Sequence, residues 1–170
     1  MKKRISFVSS FSIYFPLIST IFLLFLFYLP FSFGISNSIK PCLVLASVFF
    51  WLTHRPDVFG IFSIIIVAIF ADTLSGNPLG ANLLMLSFIY LLINKFEAFF
   101  YNKPFMVYWY FFMMFAGAAF LLKWFVLSVY YTQFLPITSV LFMYLTTIIC
   151  YPFVSIFNAF VQTYVRFDDE

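Results

Sequence analysis

Asp72-Thr73-Leu74-Ser75-Gly76-Asn77-Pro78-Leu79-Gly80 lies between two apolar runs. It places an acid, two glycines and a proline where lipid rejects them unless protein or water receives their polar groups. Gly76 and Gly80 are spaced G-x-x-x-G, which inside a helix lets two backbones approach closely. Asn77 and Pro78 fall between them, so the stretch reads as a shaped turn rather than a helix-dimer seam. Gly76 can take a positive φ that other residues resist. Pro78 suits the first turn of the following helix. Gly80 carries no side chain and leaves room for a neighbouring backbone.

Outward from this turn the chain is almost entirely apolar. Of its 170 residues, 65% are hydrophobic and 9% charged, and the mean hydropathy is +1.07. A soluble domain usually carries about 25% charged residues. So few charges cannot cover a water-facing surface, so the expected solvent is lipid, and residues 1–170 read as a single polytopic membrane domain. The 29 Phe and 11 Tyr fit a lipid-facing surface. The two cysteines, Cys42 and Cys150, fall inside apolar runs without metal-ligand spacing, and read as buried free thiols.

Six apolar segments are expected, at about Phe11–Pro30, Pro41–Thr53, Val58–Leu74, Leu79–Ile93, Phe105–Tyr131 and Pro136–Val161. The first, fifth and sixth are long enough for a core of roughly 30 Å at about 1.5 Å per residue. The three between them are short, and either cross a thin region or are shielded by neighbours. The second and third could also form a re-entrant hairpin. Met1-Lys2-Lys3-Arg4 precedes an apolar run from Phe11 to Phe33 that exceeds a signal-peptide core, so an uncleaved first span is expected.

Lys and Arg set the orientation. With both termini in the cytoplasm, Lys2, Lys3, Arg4, Arg55, Lys95, Lys103 and Arg166 lie inside, Lys40 lies outside, and Lys123 lies within the fifth segment. His54-Arg55-Pro56-Asp57 is then a tight cytoplasmic turn in which Pro56 stops a helix and biases Arg55 to an extended conformation. Asn94 to Pro104 is a cytoplasmic loop, and Asp168-Asp169-Glu170 a short acidic tail. No basic stripe suggests nucleic acid.

Asp72 has two readings, a polar contact to a partner or ligand and a helix-end acid that bonds the following turn. Lys123 either snorkels outward or pairs with Asp72. Gly117, in Ala116-Gly117-Ala118-Ala119, marks close packing on another helix. No enzyme is expected. His54 is the single histidine, there are no paired carboxylates, and neither a nucleophile elbow nor a phosphate or dinucleotide fingerprint occurs. No catalytic residue, cofactor or metal is assigned.

From Pro41 to about Ile93 the chain resembles the bacterial rod shape-determining MreD family. The resemblance rests on Pro41, Trp51 and Pro56, followed by Asp72, Leu74, Ser75, Gly76, Pro78, Leu79 and Gly80. It departs at Val67-Ala68-Ile69-Phe70-Ala71, where the family is often Gly-rich. The resemblance implies a non-enzymatic scaffold of the cell-elongation, peptidoglycan-synthesis machinery in the bacterial inner membrane. It implies an MreC-like bitopic partner and, indirectly, MreB, RodA and its penicillin-binding partner. It also implies a six-helix, N-in/C-in fold like the S component of energy-coupling-factor transporters. A small-molecule uptake subunit of that type is the alternative. Asp72, Gly76, Pro78, Gly80, Lys123 and Gly117 are the candidate structural or partner contacts, with Arg55 and Pro56 in the cytoplasmic turn.

Overall fold

A computed structural model describes residues 14–28, 41–100 and 103–166. Lys2, Lys3, Arg4, Lys40 and the acidic tail Asp168-Asp169-Glu170 lie outside the described residues. Those that are described form six longer helices and one single turn of helix, with no strand among them. They are α1 (Phe15–Tyr28), α2 (Leu43–His54), α3 (Ile61–Ser75), α4 (Ala81–Lys95), α5 (Glu97–Phe100), α6 (Phe105–Tyr130) and α7 (Ile137–Arg166).

Proline and glycine set most boundaries. Pro16 sits in the first turn of α1, where its missing N–H costs nothing, and Pro104 and Pro136 precede α6 and α7 in the same way. Arg55 and Pro56 end α2, with the Arg55 N–H closing on the Trp51 carbonyl at 2.8 Å. Gly76 ends α3 at φ +64, a left-handed conformation that glycine adopts freely.

Five helices close a ring, in the order α1, α3, α4, α6, α7 and back to α1, and α2 runs through the middle. Its nine residues from Val44 to Leu52 are all buried. A helix that is apolar all round belongs inside. At 12 residues and about 1.5 Å per residue, α2 is far shorter than a bilayer core, and its neighbours shield it. α2 and α3 do not pack along one another, so the hairpin expected as an alternative for these two segments is not formed.

The expected loop at Asn94–Pro104 contains α5. Phe100 anchors this turn under the ring: it is buried, and its side chain meets Phe49 edge-on at 6.1 Å and Phe111 at 5.2 Å. Aromatic packing of this kind holds a helical turn too short to be stable alone.

Pro152 stands inside α7. It has no N–H to give the carbonyl of Ile148 one turn earlier. The indole Nε1 of Trp109 donates to that carbonyl at 3.4 Å, which ties α6 to α7 at the break.

The outside of the ring is apolar. Phe62, Phe125, Phe153 and Ile156 are each more than 60% exposed. α6, and α7 from Ile137 to Thr163, are long and apolar enough to cross a membrane, and only a minority of each is buried inside the protein. A core helix of a soluble protein would turn those side chains inward.

Candidate functional site

The turn between α3 and α4 is built around one carboxylate. Asp72 lies in the last turn of α3 and is 1% exposed. Its Oδ2 accepts the N–H of Gly80 at 2.7 Å, and its Oδ1 accepts the N–H of Asn82 at 2.9 Å. Gly80, the N-cap of α4, offers no side-chain cap. Asp72 supplies one from the preceding helix, and its negative charge sits at the positive end of the α4 dipole. Ala81 N–H closes the remaining gap on the Pro78 carbonyl at 3.2 Å.

Lys123 comes to the same cluster from α6, but it does not pair with Asp72. Among the described residues the ion pair within 4.0 Å is Arg55–Asp57. The Lys123 ammonium donates to Oδ1 of Asn82 at 2.6 Å. The other face of that amide, Nδ2, donates to Ser75 Oγ at 3.4 Å, and Ser75 Oγ donates to the Asp72 carbonyl at 3.1 Å. Asn82 is therefore the bridge. Its backbone N–H serves the acid and its side-chain oxygen serves the base. Each carboxylate oxygen takes one backbone N–H at the start of α4, and the Asn82 amide stands between the acid and the lysine.

Two further expectations are corrected here. A Cβ built on Gly80 meets nothing within 4 Å, and the same holds at Gly76. Gly80 is needed for its φ of +108, not for close backbone approach. Pro78 lies in the turn, ahead of the Gly80 cap, and not in the first turn of α4. The G-x-x-x-G stretch is a turn, as read from the sequence. Gly117 is half-buried against α7: a Cβ there would touch the Tyr144 ring at 3.5–3.6 Å. The Tyr144 hydroxyl donates to the Met113 carbonyl at 3.1 Å.

Beside the cluster is a cavity of about 20 Å³ walled by Tyr28, Cys42, Asn82, Lys123 and Met143, among others. This is room for about one water molecule. Cys42 is buried, Cys150 is half-buried, and both are free thiols. Among the described residues no three His, Cys, Asp or Glu side chains come together.

At the other end of the bundle, Arg55 Nε lies 3.5 Å from Asp57 Oδ1, and Val58 and Phe59 donate back to the Arg55 carbonyl. The expected tight turn is present.

A polar seam through the core was missed in the sequence. Thr20 and Ser47 share a hydrogen bond at 3.0 Å, Asn158 Nδ2 donates to Ser47 Oγ at 3.0 Å, and Trp51 Nε1 donates to Ser19 Oγ at 3.1 Å. These bonds join α1, α2 and α7. Serine and threonine in apolar helices can equally bond their own backbone, so they gave no signal for the seam; Asn158, an amide within an apolar run, was its mark in the sequence.

No family model matches the chain, and no curated protein or solved structure is significantly similar to it.

Proposed function

We propose that this chain is a six-span membrane scaffold of the bacterial cell-elongation machinery, with both termini in the cytoplasm. On this reading α1, α2, α3, α4, α6 and α7 are the spans. The α3–α4 turn then faces the periplasm, and docks an MreC-like bitopic partner by helix packing and a few hydrogen bonds. MreB, RodA and the penicillin-binding partner of RodA associate through it. The resemblance from Pro41 to about Ile93 suggests the family.

The observation that carries the scaffold over the uptake reading is the buried Asp72 cluster. Asp72 is 1% exposed and spends its carboxylate on two backbone N–H groups, so it caps a helix and is not open to a ligand. The adjoining space of about 20 Å³ is far below the 300–1,000 Å³ of ordinary ligand pockets. Leu79 stands 76% exposed at the tip of the same turn, as an apolar contact for a partner.

The test is crosslinking in native membranes with a C-terminal tag, followed by mass spectrometry of the captured proteins. Recovery of an MreC-like protein and wall-synthesis enzymes is the expected result. Recovery of ATPase subunits with a coupling membrane protein would replace the scaffold by an uptake subunit.

A further inference from the structure

The largest cavity described in the protein lies at the other end from the Asp72 turn. It measures about 540 Å³ and opens between the end of α2, α5 and the start of α6, with Thr53, His54, Glu97, Lys103 and Tyr108 as its polar lining. This volume is in the ligand range. The site plays no part in the scaffold contact proposed above.

His54 is held rigidly in its wall. Its ring stacks between Phe50 at 4.2 Å and Tyr108 at 4.8 Å. Nδ1 lies 3.0 Å from the Phe50 carbonyl. A carbonyl only accepts, and the Thr53 hydroxyl 3.1 Å from Nδ1 has its own proton on the Phe49 or Phe50 carbonyl, so we assign the ring proton to Nδ1, which in the neutral ring leaves Nε2 as an acceptor. Nε2 has no partner among the described residues. The Tyr108 hydroxyl donates to the Phe100 carbonyl at 2.7 Å, which fixes the second ring of the stack.

Glu97 and Lys103 stand on the rim, and neither is ion-paired among the described residues. The Lys103 ammonium lies 5.3 Å above the Phe99 ring. Phe96, Phe99, Phe105 and Met106, within three residues of Glu97 or Lys103 along the chain, are exposed. One cavity thus offers a cation, an anion, a hydrogen-bond acceptor and an apolar apron. A zwitterionic amphiphile has the matching parts.

We infer that this cavity binds the headgroup of an aminophospholipid from the adjacent leaflet. The phosphate lies at Lys103, and the primary ammonium lies at Glu97 and donates to His54 Nε2. The acyl chains run out over Phe96, Phe99, Phe105 and Met106. A quaternary headgroup cannot donate to His54, and an anionic one has nothing for Glu97. The inference rests on the membrane part of the proposed function and is independent of the partner's identity.

The experiment is native mass spectrometry of the full-length protein, given equimolar phosphatidylethanolamine, phosphatidylcholine and phosphatidylglycerol in mild detergent. One phosphatidylethanolamine should be retained about tenfold over either competitor, a factor worth about 1.4 kcal/mol. Glu97→Gln should remove the preference over phosphatidylglycerol, and Lys103→Gln should lower retention of all phospholipids. Both positions are exposed, so both variants keep the fold. Equal retention of the three lipids, or a preference untouched by both variants, would overturn the inference. Full displacement by glycerophosphoethanolamine at the lipid's own concentration would also overturn it, in favour of a soluble ligand. A parallel readout separates failure of the membrane reading. Phe153→Cys, in a Cys42→Ala, Cys150→Ala background in membranes, should resist a water-soluble maleimide and react with a lipid-soluble one. Reaction with the water-soluble reagent would remove the membrane reading itself.

Discussion

Two turns of this protein each hold one aspartate close to a basic residue, and they use it in opposite ways. At the α2–α3 turn Asp57 faces Arg55 directly at 3.5 Å, with its side chain 66% exposed. At the α3–α4 turn Asp72 is buried, and its charge is met by two backbone N–H groups, with Lys123 one residue away behind Asn82. Water screens the first pair and leaves it little net effect. The second carboxylate has no water to fall back on, so its bonds hold the end of α4 in place.

Removing the two carboxylates should separate the turns most sharply. Asp72→Ala leaves two helix-end N–H groups orphaned and a half-buried lysine without compensating charge. It should destabilise the protein by about 1–3 kcal/mol for each orphaned group, measured by unfolding in a bilayer mimetic. A loss under 1 kcal/mol would mean that water reaches the site.

The bridged geometry also makes a charge reversal uninformative as a rescue. Asp72→Lys combined with Lys123→Asp should be no more stable than Asp72→Lys alone, because a lysine cannot accept from Gly80 and Asn82. Recovery in the double variant, in the same unfolding assay, would restore the direct pair that is one of the two sequence readings of Lys123.

Gly80→Val forces a β-branched residue to a φ of +108 in open space. Backbone strain of about 1–3 kcal/mol follows, with no steric clash to add to it. Gly80→Ala should cost nearly as much as Gly80→Val. A far larger loss for valine would indicate a close neighbour at this position. Smallest of all, Asp57→Ala should change stability by at most about 0.5 kcal/mol, and added salt should shrink even that.

The sequence made the positions of these turns legible because proline, glycine and charge are rare in this chain and each stands out. The boundaries at Arg55-Pro56, Gly76, Pro104 and Pro136 follow from residues whose backbone preferences act locally. The role of Asn82 was not legible. An asparagine at the start of an apolar helix carries no mark of which side chain will reach it from α6, 41 residues on. The central place of α2 was equally hidden, since the ring helices are as apolar on their outer faces as on their inner ones. In a soluble protein the polar face would have named the outside. The Trp109 bond that offsets Pro152, and the aromatic anchoring of α5, are tertiary in the same sense. They depend on which helix stands opposite.

In the scaffold we propose, Asp72 shapes the α3–α4 turn into a partner surface. A photocrosslinking residue at Leu79, in intact membranes, is the decisive test. The predicted result is a covalent adduct with a single-span MreC-like protein, abolished by Asp72→Ala and retained with Asp57→Ala. An adduct indifferent to Asp72, or one formed instead with an ATPase-coupled membrane protein, would contradict it.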